Sequence, residues 1–457
     1  MIKRLYHKFK ERRDLTSGSI SRNMFFLATP MIVSNLLQTT FELINMFWVG
    51  RLGSTALAAV AMSGSIIMVV MFMMMGVGVG TTAMVARAIG AKEHARAEQV
   101  VKQSLVIALL GSLILAVLGY IISAPLLELL GATPEVMPLG ASYMHITFAG
   151  SFVIFFMFLI MAVLQGAGDT MTPMLILAFS LLLNVVLDPL LIFGIGPFPE
   201  LGVSGAALAT IISRGVGCLI AFEVMIRGRS HIQLKLNNYG VDGAIINRIL
   251  MIGFPASIQM TLRGLMGVVL MWVVAGFGTM AVAAYGIGIR LSMLLMMPGF
   301  ALGMASATMV GHNLGAKKPE RAVSAAWTAV LYYGAFMAVM GLIFFFFGAP
   351  LIAFFDPNPE VVKIGAVLMA ILGIGCPFIA LGLILDRSIS GAGDTMVTMI
   401  NTFLSLWIIQ IPLAIVLSEQ IGIGINGVWY AGLVAQVVLA VLNLGWFLTG
   451  RWKHKKA

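Results

Sequence analysis

Charge is scarce in this 457-residue chain: Asp, Glu, Lys and Arg together make up 10% of it, against 60% hydrophobic residues and a mean hydropathy of +1.02. A soluble globular protein carries roughly a quarter of its residues charged, so the composition excludes that class and points to an integral membrane protein. Cysteine is almost missing; Cys218 and Cys376 both fall inside apolar runs, which excludes a disulfide framework or a thiolate metal site. Neither glycine-rich stretch, Gly76–Gly80 nor Gly166–Met171, has the Lys that a phosphate-cradling loop needs after its last glycine. No Ser and His pair at helical spacing, and His145 is isolated in its run, so a membrane-embedded hydrolase lacks its nucleophile and base. The chain is therefore not expected to be an enzyme and no cofactor is expected. The first apolar run is long enough to cross a membrane, so it does not resemble a cleavable signal peptide.

What the sequence has in abundance is long apolar runs. A helix needs about 20 residues to cross the hydrocarbon core, and runs of that order lie near 24–48, 57–84, 104–124, 137–163, 171–194 and 203–226, then near 248–276, 281–309, 322–347, 362–389, 396–418 and 427–448. These predict twelve spans in two sets of six. The sets are copies. GAGDTM occurs at Gly166–Met171 and again at Gly391–Met396, and the same shift of 225 residues carries Pro30 onto Pro255, Gly53 onto Gly278, Gly90-Ala91-Lys92 onto Gly315-Ala316-Lys317 and Ala124-Pro125 onto Ala349-Pro350 without a gap. A period this long marks a duplicated domain-sized unit and not a solenoid.

Most of the Lys and Arg fall in the N-terminal segment, in the connections after even-numbered spans and in the C-terminal tail, while Arg51 and Lys363 lie in the opposite loops. Because cytoplasmic loops retain positive charge, both termini are expected in the cytoplasm, and the net charge of +10 needs no nucleic-acid partner to explain it. An even number of spans per copy makes the repeats parallel. The expected organisation is a basic cytoplasmic segment over 1–23, an N-lobe over 24–226, a cytoplasmic linker over 227–247, a C-lobe over 248–448 and a basic tail over 449–457. Each GAGDTM reads as a turn between spans, with the glycines ending one helix and Asp169 or Asp394 capping the next. Gly76–Gly80 reads as a close helix contact.

The tandem six-span halves carry GAGDT twice, Leu183-Asn184-Val185-Val186-Leu187-Asp188-Pro189 in span 5, Gly202-Val203-Ser204-Gly205-Ala206-Ala207 after it, and Val49-Gly50-Arg51-Leu52-Gly53 after span 1. Together these resemble the multidrug and toxic compound extrusion (MATE) family over nearly the whole chain. The resemblance implies an all-α membrane protein of twelve helices in two lobes around a central cavity. It implies an antiporter that exports amphipathic, often cationic compounds in exchange for H⁺ or Na⁺. The expected setting is the inner (cytoplasmic) membrane, as a monomer among lipid. A flippase for a lipid-linked precursor is the alternative, and a strongly basic cavity would favour it.

Ionisable residues inside spans are functional candidates by default: Glu42, Asp188, Arg214, Arg263, Arg290 and Asp386. Glu42 and Asp188 each lie six residues before the expected outer end of their spans, and so at similar depth. Gln38, Glu42 and Asn45 share one face of span 1, as Asn184 and Asp188 share one of span 5. This set could pass a proton or hold Na⁺ between Glu42 and Asp188. The resemblance places Asn184 and Asp188 at the family's span-5 cation positions, whereas many relatives carry Asp where this chain has Asn45. Under the shift of 225 the equivalents of Glu42, Asn45, Asn184 and Asp188 are Gly267, Leu270, Ile409 and Leu413, none of them polar, so the cation site is expected in one lobe only. A structural pair of Asp188 with Arg214 is the competing reading, and Asp386 with Arg387 reads as an interfacial pair. Gln259 and Arg263 share a face and are candidate cavity residues. A positive charge there disfavours purely cationic cargo. Of the 33 methionines, Met71, Met75, Met293 and Met296 are candidates for contact with apolar cargo, since flexible thioethers suit promiscuous recognition.

Overall fold

The computed structural model describes residues 14–228, 230, 232–235 and 240–455. Most of the expected basic segment 1–23, part of the linker 227–247 and the end of the tail lie outside the described residues. No strand occurs among them. The helices are α1 (Ile20–Gly50), α2 (Ser54–Gly90), α3 (His94–Leu129), α4 (Val136–Ala149), α5 (Ser151–Gly166), α6 (Met171–Phe193) and α7 (Val203–Ile226), then α8 (Gly243–Ala275), α9 (Thr279–Gly315), α10 (Pro319–Phe355), α11 (Pro359–Gly391), α12 (Thr395–Gln420) and α13 (Ile425–Thr449). Eleven are long and apolar enough to cross a membrane. The pair α4 and α5, bent by 52°, makes a twelfth span.

The duplication reaches the backbone torsions. Gly53 and Gly278 precede α2 and α9 at φ of 110° and 96°, a region that an L side chain rarely enters. Lys92 and Lys317 are the non-glycine residues at positive φ among those described, at 60° and 57°, in matching turns where the next amide donates to the Ala88 or the Asn313 carbonyl.

The halves then diverge. The fourth span breaks at Gly150, where a Cβ would collide with Ile211, whereas its counterpart α11 is one helix. The fifth span, α6, is regular, whereas α12 widens to π-helix over Leu404–Gln410 and Val416–Gln420. The two GAGDTM turns also part. Asp169 accepts from the Thr172 amide (3.0 Å) and hydroxyl (2.7 Å), the expected cap. Asp394 caps nothing; it accepts from Trp446 Nε1 (2.9 Å) and pairs with Lys455 (3.1 Å).

Packing divides the chain into two compact units, and their bounds are not those of the expected lobes. One contains Thr29–Gly253; the other joins Leu15–Ala28 to Phe254–Ala457. Each division falls one or two residues before a proline inside a helix, Pro30 in α1 and Pro255 in α8, and the two positions are equivalent under the shift of 225. In the first unit the glycines expected to pack closely do so. A Cβ at Gly80 would strike the Ile249 carbonyl, and one at Gly253 would press on Gly76 and Val77, so the first turns of α8 lie on α2. In the second unit Lys318 Nζ donates to the Thr16 carbonyl (2.8 Å), and Arg321 Nη2 donates to those of Ser17 (2.7 Å) and Gly18 (2.9 Å). Met24, Leu27 and Ala28 are buried with them.

Candidate functional site

In the first unit the end of α1 meets the end of α6. Val49 and Ile192 share a core cluster with Ala56, Val203 and Ala206, and the Trp48 and Phe193 rings stand edge to face at 6.1 Å. This contact fixes the register of the two helices. Asp188 lies five residues before the end of α6, and the residue five before the end of α1 is Asn45; Glu42 is a turn further along. Counted from the helix ends, Asn45 and not Glu42 matches Asp188. The expected span ends, 48 and 194, missed the true ends in opposite directions.

Asp188 and Asn184 are completely buried. Asn184 Nδ2 donates to Asp188 Oδ1 at 3.0 Å, the i, i+4 contact that their spacing predicts. Asp188 Oδ2, Asn184 Oδ1 and the neighbouring Ser180 hydroxyl are buried without a hydrogen-bond partner among the described residues. A buried acceptor without a donor is expensive, and carboxylate and amide oxygens are what a proton or a hard cation takes up. Asn45, also buried, donates to Thr210 Oγ1 at 3.3 Å. Glu42 is exposed and accepts from Gln38 Nε2 at 2.9 Å. Thus Asn184 and Asp188 come together, Asn45 sits at their level, and Glu42 and Gln38 pair with each other on another part of the α1 surface.

Arg214 is not bonded to Asp188. Its guanidinium lies 5.0 Å from the Phe41 ring centroid, with Nε buried and unpaired. Tyr143 of α4, packed against the same core cluster, is within electrostatic range of both Asp188 and Arg214. Tyr143 and Thr210 escaped the sequence reading because neither is charged. Their only signal is a polar group in an apolar run.

The second unit holds a different polar network. Gln259 Nε2 donates to Asp386 Oδ1 (2.6 Å), to Thr402 Oγ1 (2.8 Å) and to the Thr398 carbonyl (3.0 Å). Arg263 Nη2 lies 3.6 Å from Asp386 Oδ2 and 3.4 Å from Thr402 Oγ1. The expected interfacial pair of Asp386 with Arg387 does not form, because neighbours in a helix point different ways. Asp386 is fully buried and turned to Gln259 and Arg263, while Arg387 lies 5.6 Å from the Phe300 ring centroid and bonds Met260 Sδ. Of the methionines, Met75 and Met293 are exposed, and Met71 and Met296 half-buried. Both cysteines are buried and free. No group of three or more potential metal ligands occurs among the described residues.

Two halves of one design, each folded from six spans and each with a buried acid bonded to an amide, only one of these acids having an arginine beside it, define a membrane transporter built by duplication. The chain belongs to the MatE family, whose model matches residues 30–190 and again 255–416, one match per half. It is similar to the probable multidrug resistance protein NorM of Thermotoga maritima, at 29% identity over 95% of this chain and 94% of that one. It is similar as well to a protein of Shewanella oneidensis named FAD transporter, at 28% identity over 95% of both. The bent form of the MATE transporter VcmN of Vibrio cholerae superposes with a TM-score of 0.87 at 26% identity, covering 97% of this chain and all of that one. The protein is a MATE-family transporter and not an enzyme.

Proposed function

We propose that the protein is a secondary antiporter that exports amphipathic drugs or toxic compounds in exchange for H⁺ or Na⁺ by alternating access. The carrying observation is the buried pair Asn184 and Asp188, whose outer oxygens have no donor among the described residues. A proton on Asp188, or Na⁺ held between these oxygens with Asn45 nearby, would satisfy both. The duplicated half has Ile409 and Leu413 at the equivalent positions, as befits a dedicated site. Exposed Glu42 and half-buried Gln38 on α1 serve as the approach to this site and not as its inner ligands. Both termini lie in the cytoplasm, and the protein acts as a monomer in the inner membrane. The flippase alternative asks for a strongly basic cavity, and the acids Glu42 and Asp188 of the first unit speak against one. The naming of relatives as multidrug proteins supports drug export, and the naming of one as an FAD transporter admits anionic cargo.

Coupling needs the ion to favour a state from which cargo leaves. Each unit of inward pH gradient supplies about 1.4 kcal/mol per proton. Loading Asp188 therefore weakens cargo binding, and bending of α1 at Pro30 is the movement proposed to carry the effect. The test is cargo affinity across roughly pH 5.5 to 8.5, a range that brackets titration of a buried carboxylate, with and without Na⁺. Weakening by acid or Na⁺ in the parent, absent in Asp188→Asn, is expected. Affinity in the parent that ignores both ions refutes coupling at this site.

A further inference from the structure

Charge well inside the spans is distributed unequally between the units. The first has the acids Glu42 and Asp188 with Arg214; the second has Arg263, Arg290 and Arg387 with Asp386 alone. Arg263 already neutralises Asp386, which leaves Arg290 with no acid. Arg290 is exposed, and no ion pair or hydrogen bond holds it among the described residues.

Its depth makes that exposure informative. Arg263 lies twelve residues before the end of α8 at Ala275, and Arg290 eleven residues after the start of α9 at Thr279. The turn Gly276–Gly278 joins these ends, so both arginines stand on the same side of it, about 16–18 Å along their helices at 1.5 Å per residue. The stretches between, Gly264–Ala275 and Thr279–Ile289, contain no charge. Against a hydrocarbon core of about 30 Å, both positions are near the middle. An arginine there is too deep to snorkel to the interface and is costly to hold unpaired against acyl chains, so its exposed side calls for water or a polar ligand. The side of α9 that carries it is opposite the buried positions Ala281, Ala284, Gly288 and Leu295. At helical spacing it presents Gly286, Met293, Met297, Phe300 and Met304 beside Arg290. Met293 is 58% exposed and Phe300 37%. One fixed cation on a flexible apolar strip is complementary to a molecule with one anionic group on an apolar body.

We propose that Arg290 is a cargo-binding residue that recognises the carboxylate or phosphate of a small amphipathic anion, with the methionine strip of α9 holding its apolar part. The inference rests on the export function proposed above and specifies its cargo class. Arg263 differs in role: its guanidinium is tied to Asp386 and Thr402.

The test uses the purified full chain in nanodiscs of zwitterionic lipid, without an ion gradient, so that binding is read apart from coupling. The probes share one fluorophore: dansylglycine carries a carboxylate, dansylglycinamide is neutral and dansylcadaverine is cationic. The parent is expected to bind dansylglycine about tenfold more tightly than the amide, the scale of a charge-assisted contact. Arg290→Gln should remove that preference while leaving amide affinity unchanged, and Arg290→Lys should restore part of it. Unchanged amide binding also reports that Arg290→Gln is folded. A parent that does not prefer the carboxylate overturns the proposal, as does equal weakening of all probes by Arg290→Gln. Displacement of dansylglycine by anionic phosphatidylglycerol in the nanodisc would assign the arginine to lipid headgroups and overturn it too. If gradient-driven export fails while the preference holds, the coupling reading falls and the anion site stands; the converse result separates them the other way.

Discussion

Asp188 and Asp386 are the fully buried carboxylates of the two units' spans, and the protein satisfies them in opposite ways. Asp386 receives an amide from Gln259 and a permanent cation from Arg263. Asp188 receives one amide from Asn184, four residues away on its own helix; in both acids Oδ2 has no hydrogen-bond partner among the described residues, but only that of Asp386 has a guanidinium beside it, at 3.6 Å. Both units descend from one six-span design, so the fold does not dictate the difference; side chains added in one copy do. A carboxylate with a tethered guanidinium has no further need of an ion, whereas one without a cation can exchange one. The comparison teaches that a buried acid in a span is a candidate for coupling only when its counter-charge is missing from the chain.

The sharpest way to break this comparison is to neutralise the acids separately. Asp188→Asn should abolish ion-driven efflux from proteoliposomes, a loss of at least about a hundredfold if a few kcal/mol of ion binding are removed, with thermal stability unchanged or raised. Efflux that survives would make Asp188 as structural as Asp386. Asp386→Asn should do the reverse. It leaves the Arg263 guanidinium uncompensated and should cost about 3–5 kcal/mol of stability, read as a lowered unfolding midpoint in detergent. Arg263→Gln in the same chain should return much of that loss, and a double variant no better than the single one would show that the two do not act as a pair. A smaller effect is expected on α1: Glu42→Gln should slow transport severalfold without removing its ion dependence, because Glu42 is exposed and bonded only to Gln38 among the described residues. Abolition there equal to that of Asp188→Asn would return Glu42 to the inner site. The smallest difference lies in the GAGDTM turns, where Asp169→Ala should cost about 0.5–2 kcal/mol through loss of a helix cap. Asp394→Ala should instead free the tail, and proteolysis near Lys455 would reveal it.

Much of this was legible in the sequence. The shift of 225 found the duplication that the two family matches repeat, the apolar runs found the spans, and the spacing of Asn184 and Asp188 foretold their hydrogen bond because helical neighbours four apart face each other. What stayed hidden required knowing where helices end or break. The run 137–163 reads as one span because a bend needs no polar residue, only the close approach of Ile211 to Gly150. Hydropathy stops where apolar residues stop, not where the helix does, and errors of two residues in α1 and one in α6 moved the match for Asp188 from Asn45 to Glu42. Asp386 was assigned to Arg387 because they are adjacent in sequence, yet its partners come from Gln259 and Arg263, more than a hundred residues away. The identical letters of the second GAGDTM could not show that Asp394 had been taken over by Trp446 and Lys455, residues whose equivalents in the first half are Ala221 and Ser230.

The unit bounds carry a consequence for synthesis. The main stretch of the first unit, Thr29–Gly253, has been made once Gly253 has been added. Residues Leu15–Ala28 belong to the other unit, whose next residue is Phe254. At roughly 5–20 residues per second, this short segment leaves the ribosome on the order of 10–45 s before its first partners exist. Throughout that interval the buried surfaces of Leu15, Met24 and Leu27 must be sheltered by lipid or by the insertion machinery, so this segment, made before the whole of Thr29–Gly253, finds its place after it.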